Sequence, residues 1–149
     1  MTVKEKLYQL CVEALEMRLK TIKSKVEDIQ QSLTSETKST AGDKHETGRA
    51  MLQLEREKAG QQLSELQKLQ NTLSRINPKS THEIVALGTI VQTTNAYYFI
   101  SISVGELSCD GQLVYAISAN TPMAKVLFGK CVGDTVTFRN DTFEIISLH

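Results

Sequence analysis

Two carboxylates three residues apart, Asp43 and Glu46, stand in the run Gly42-Asp-Lys-His-Glu-Thr-Gly-Arg49. In the first turn of a helix they share one face. Paired carboxylates suit a hard divalent cation such as magnesium, which takes oxygen ligands and keeps several waters. Two alone make a weak site, and a useful one needs further ligands from elsewhere. The same atoms have a plainer use. Asp43 is a good N-cap, and Glu46 stands at the N3 position of a capping box, so both can satisfy the free N–H groups that begin a helix. Both readings stay open at this level, and His45 between the two acids reads as a solvated tip residue.

The densest basic stretch holds Arg18, Lys20, Lys23 and Lys25. As a functional surface it would face phosphates without reading bases. As a plain helix face it would be solvated and paired with Glu13, Glu16, Glu27 and Asp28. Cys11, Cys109 and Cys131 are odd in number and far apart, which does not make a secreted disulfide framework. With His45, His82 and His149 they form no Cys-x-x-Cys or His-x-x-x-His pair, so no zinc site is expected. Cys131 lacks a histidine nearby in sequence and reads as a packed thiol. Asp110, Asp134 and Asp141 fall in turns, and no dinucleotide, Walker or serine-elbow motif occurs.

Two kinds of element position these residues. Leu15, Leu19, Ile22, Val26, Ile29 and Leu33 repeat at the 3.5-residue mean period of a coiled-coil seam, which predicts a helix from about Val3 to about Leu33. The small polar run from Thr34 to Gly42 predicts a loop. A second seam follows at Leu52, Ala59, Leu66 and Leu73, with Leu63 and Ile76 between, and Pro78 ends it. The expectation is an antiparallel hairpin arm over residues 1–77, about 45 Å long, with its tip at 34–47.

Residues 78–149 read in period two. Strands are expected at Ile84–Leu87, Thr89–Gln92, Tyr97–Val104, Gln112–Ile117, Thr135–Phe138 and Thr142–Ile146. Turn signals separate them at Thr94-Asn95, Gly105, Asp110-Gly111 and Asn140-Asp141. Thr121-Pro-Met-Ala-Lys-Val-Leu-Phe-Gly129 carries a threonine N-cap, proline at the first helical position and a terminal glycine, the marks of a two-turn helix. The fold class is therefore α+β: a coiled-coil hairpin, then a small antiparallel β domain with one short helix.

Charge sets bounds on function. Of 149 residues, 17 are lysine or arginine and 17 are aspartate or glutamate, which excludes a protein that coats nucleic acid by bulk electrostatics. The arm carries 13 basic and 11 acidic residues and the remainder 4 and 6, so neutrality is an average over unlike halves. No run of apolar residues is long enough to cross a bilayer. The charged start Met1-Thr-Val-Lys-Glu-Lys has no signal-type apolar core, and a cytoplasmic protein is expected.

The order of hairpin arm, carboxylate tip, proline break and small β domain resembles the bacterial Gre transcript cleavage factors of the GreA and GreB type. The motif from Asn120 through Pro122, Lys125, Gly129, Lys130, Gly133 and Asp134 to Val136 looks like that family's C-terminal signature. Gly42-Asp-Lys-His-Glu46 is similar to its tip sequence Gly-Asp-Leu-x-Glu.

The resemblance implies an arm that enters the secondary channel of RNA polymerase. It also implies tip acids Asp43 and Glu46 that help hold a magnesium ion beside the polymerase's own metal while backtracked RNA is hydrolysed. The chain is then an accessory factor and not itself an enzyme. It has no tightly bound cofactor, magnesium entering only in the complex, and it meets nascent RNA only indirectly. It has no membrane partner and no small-molecule substrate. Pro122, Lys125, Gly129 and Lys130 are implied to be structural or docking residues, in a domain similar in fold to FK506-binding proteins.

The chain departs from the family where Lys44 replaces leucine and where Thr47-Gly-Arg-Ala50 replaces Asn-Ala-Glu-Tyr. Lys44 and Arg49 are expected to compete with a metal for the carboxylates. Alternatives are a non-cleaving channel regulator and a coiled-coil interaction module. A prolyl isomerase would need Tyr97, Tyr98, Phe99, Tyr115, Phe128, Phe138 and Phe143 as pocket walls, where strand spacing reads them equally as core.

Overall fold

The structure, a computed structural model, describes residues 1–37 and 42–149, with side chains at 1–35 and 46–149. The predicted tip at 34–47 therefore lies partly outside the described residues. Contacts divide the chain into two units, Met1–Ala14 with Gln70–His149, and Leu15–Leu69. Two long helices run through both: α1 (Val3–Thr37) and α2 (Gly42–Ser74). The division thus falls inside the helices and not at Pro78.

In the unit Leu15–Leu69 the predicted seam is the core. Ile22, Ile29 and Leu33 of α1 are buried with Ala59 of α2, and Val26, Leu52, Leu63 and Leu66 pack half-buried against them. Helix α1 continues beyond Leu33 to Thr37, where the polar run predicted a loop. Within this stretch the Thr34 hydroxyl donates to the Gln30 carbonyl one turn back (3.0 Å), so its polar group is satisfied on the helix's own backbone.

The other unit holds a six-stranded sheet: β1 (Ile90–Thr93), β2 (Tyr97–Ser101), β3 (Gly105–Cys109), β4 (Gln112–Ser118), β5 (Thr135–Phe138) and β6 (Asp141–Leu148), in the order β3-β4-β2-β1-β6-β5. Four pairings are antiparallel, but β2 and β4 run parallel, so the sheet is mixed and not wholly antiparallel as predicted. Asp110-Gly111 closes a β3–β4 hairpin, and β4 then enters between β3 and β2. Gly105 begins β3 and is not a turn between other strands.

The segment Ile84–Leu87 is not a strand either. Val85 is buried in the core, donates its N–H to the Lys130 carbonyl (2.9 Å) and accepts from Gly129 N–H (3.0 Å). These two bonds tie the segment to the loop after α3 (Pro122–Leu127). That helix forms as the sequence predicts: Thr121 caps it by accepting from Ala124 N–H, Pro122 opens it, and Ala124 and Leu127 are fully buried.

The sheet is covered on both faces, which its alternation makes possible. Tyr98 and Ile100 join Val85, Leu127, Phe143 and Ile145 in the core beneath α3. Phe99 and Ser101 lie on the opposite face by the two-residue period, and there Ser101 Oγ meets Cys11 Sγ of α1 at 3.7 Å. The start of α1 and the end of α2 are joined by Tyr8, whose hydroxyl donates to the Leu73 carbonyl (3.1 Å).

Two glycines hold the loops around Val85 in the left-handed region. Gly129 (φ +78°) has open space where a Cβ would stand, while at Gly88 (φ +92°) a Cβ would meet Ile76 Cγ2 at 3.1 Å. Gly129→Ala is expected to cost about 1–2 kcal/mol from backbone conformation alone. Gly88→Ala should cost more, because Ile76 is buried and has little room to give. Urea unfolding followed by circular dichroism checks the order; equal losses would remove the Ile76 contact from the account.

Candidate functional site

Helix α2 begins at Gly42, so Asp43 is its second residue, inside the first turn and not at the N-cap, and Glu46 is its fifth, just past that turn and not at the N3 position of a capping box. Acids there are favoured by the free N–H groups and the positive end of the helix dipole. The Glu46 side chain is exposed, while that of Asp43, with those of Lys44 and His45, lies outside the described residues. As a donor set two carboxylates fit magnesium, a hard cation that takes oxygen. Among the described residues no group of three or more His, Cys, Asp or Glu gathers to hold a metal.

Arg49 does not occupy Glu46. Its Nη1 donates to the Leu33 carbonyl of α1 at 3.1 Å, and it forms no ion pair with Glu46. The competition expected from Arg49 is not seen at Glu46, because its guanidinium is used across the hairpin, while its expected competition at Asp43 lies outside the described residues.

Arg18, Lys20, Lys23 and Lys25 are all exposed, and none forms an ion pair with a described residue, so the expected pairing with Glu13, Glu16, Glu27 and Asp28 does not occur. They do not make one patch. Arg18 and Lys25 share one side of α1, whereas Lys20 and Lys23 lie on the nearly opposite side.

The C-terminal motif divides into a buried and an exposed half. Ala124 and Leu127 face the core, while Pro122 and Lys125, three apart, are exposed on the other side of α3. Gly129 and Lys130 bind Val85 through their backbones, leaving the Lys130 side chain at the surface. Phe128, Val132 and Ile84 beside them are large and exposed. Of the aromatics in the isomerase reading, Tyr98, Phe99 and Phe143 are buried, and Tyr98 packs on Tyr115 with ring centres 6.0 Å apart. The three cysteines are free thiols, Cys11 and Cys109 buried and Cys131 exposed. Burial pushes the Cys11 thiol up to about 11, so it is inert at neutral pH.

No protein-family model matches the chain, and no curated protein does. Among solved structures the chain is similar to the transcription factor Gfh1, with 19% identity over 92% of each chain and a TM-score of 0.38. Among the described residues no helix is long and apolar enough to cross a membrane.

One polar cluster was missed by the sequence reading. Lys4 is only 5% exposed. Its Nζ donates to the Ser80 carbonyl at 2.9 Å and lies 3.3 Å from His82 Nδ1. Both Lys4 and Ser80 line a cavity of about 670 Å³ within the β-containing unit. The signal was present: Lys4, Leu7, Cys11 and Leu15 continue the seam at helical spacing, so a lysine stands where an apolar residue is expected. Burial lowers the Lys4 amine to about 8. His82 is also held below the usual histidine range, first by burial and then by the Lys4 charge, with its bond to the His149 backbone acting the other way.

A base whose pKa falls on folding carries a pH-dependent penalty. Between about 8 and 10.5 the unfolded chain keeps a proton on Lys4 that the folded one has released, so stability rises with pH across that window. Below about 8 the cost of burying the charge is fully felt. Wild type is expected to gain stability over this range relative to Lys4→Met, as measured by urea unfolding at stepped pH. A constant difference between the two would show that the Lys4 charge is not buried.

Proposed function

We propose that the chain is a Gre-type factor that binds RNA polymerase and stimulates the polymerase's own hydrolysis of backtracked RNA. The observation that supports this reading is the placement of the two motifs. Asp43 and Glu46 are the second and fifth residues of α2, at the start of the second helix of a hairpin. The second motif forms a capped helix with Pro122 and Lys125 exposed. In this reading the hairpin enters the secondary channel and the β-containing unit docks at its rim through Pro122, Lys125 and the exposed Phe128 and Val132. Asp43 and Glu46 supply two oxygen ligands, and the polymerase supplies the rest. Bound there, magnesium would help activate a water and offset charge on the leaving oxygen. Arg49, held on the Leu33 carbonyl, leaves the Glu46 carboxylate available.

The test is to add the protein to backtracked complexes with magnesium and follow RNA length. Shortening is expected, and Asp43→Ala with Glu46→Ala should slow it by about hundredfold or more while polymerase binding persists. Binding without shortening would select a non-cleaving channel regulator. No binding to core polymerase, with a stable dimer by light scattering, would replace both with an interaction module.

A further inference from the structure

Lys4 is a buried cation with no matching anion among the described residues. The two groups at its Nζ, the Ser80 carbonyl and the His82 ring, carry no negative charge. Of the acids that line the adjoining cavity, Asp110 has both oxygens 3.1 Å from Lys6 Nζ, and Glu5 is the next residue along α1, which turns it to a different side of the helix. A buried charge is ordinarily paired, because desolvation otherwise costs more than the fold recovers. Here a cavity adjoins Lys4 and Ser80. Its volume, about 670 Å³, lies within the range of small-molecule sites. Val3, Pro78, Ile90, Cys109 and Val114 give it largely apolar walls.

We infer that this cavity binds a small monocarboxylate with an apolar body, its carboxylate on Lys4 Nζ and its body against Val3 and Pro78. A single negative charge is favoured over two. One buried cation is available, and Glu5 and Asp110 repel further negative charge, with Lys79, Tyr97, Cys109 and His149 as the remaining titratable groups of the lining. An anion as small as acetate would leave the apolar walls uncovered. The site is independent of the polymerase reading and stands or falls apart from it.

Octanoate is the probe, titrated into the full chain by calorimetry and by NMR of the lysine side chains. Saturable binding is expected, with the Lys4 amine raised well above its starting value of about 8. Acetate and 1-octanol should each bind at least about tenfold more weakly, since each lacks one half of the recognition. Lys4→Met should lose octanoate by a similar factor and Lys4→Arg should retain part of it. The shift of the Lys4 amine is read on the wild type and does not depend on either variant folding. Absence of saturation, an unmoved Lys4 amine, or octanol binding as tightly as octanoate would overturn the inference.

Discussion

The packing of α1's first turns on the β2 face that carries Phe99 and Ser101 is the contact on which the β-containing unit depends. Leu7, Cys11, Phe99 and Ser101 are all fully buried, and large side chains such as Leu7 and Phe99 each contribute about 1.5–3 kcal/mol. With α3 covering the other face, β2 is buried on both sides. Its sequence, Tyr97-Tyr-Phe-Ile-Ser101, accordingly shows no polar alternation.

The same packing explains the cavity. A helix laid on a sheet through Leu7 and Cys11 leaves its first turn without a deep partner, and Lys4 occupies the seam position there. The amine reaches Ser80 and His82 beyond the end of α2 and satisfies its hydrogen bonds without a counter-charge. A leucine at this position would continue the seam and cover apolar wall. Lysine costs desolvation, and the measure of that cost is the lowering of its pKa to about 8.

What was legible in the sequence was whatever is local. The seams at Leu15 to Leu33 and Leu52 to Leu73 declare their period within single helices, and Thr121, Pro122 and Gly129 declare both ends of α3. The parallel pairing of β2 with β4 was not legible, because alternation fixes which face a side chain takes but not the direction of a non-adjacent neighbour. Ile84–Leu87 has strand composition, yet its residues are apolar because Val85 plugs the core between Gly88 and Gly129. The Lys4 cluster joins residues 4, 80 and 82 with a cavity wall that runs to His149; helical spacing marks Lys4 as a seam position but carries no trace of its partners.

At the tip, departure from the family pattern and the fold meet in Arg49. Helix α1 has no basic residue in its last turn, so nothing on that helix offsets the negative end of its dipole. Arg49 of α2 supplies a cation to it by donating to the Leu33 carbonyl near α1's C-terminal end. A residue that from spacing alone seemed set against Glu46 thus closes the hairpin one turn below the acids. It can do both jobs only in alternation, since one guanidinium bonded across to α1 is withdrawn from its own helix face. Gly48 beside it costs helix propensity, about 1 kcal/mol, while Arg49 adds a bond between the two helices.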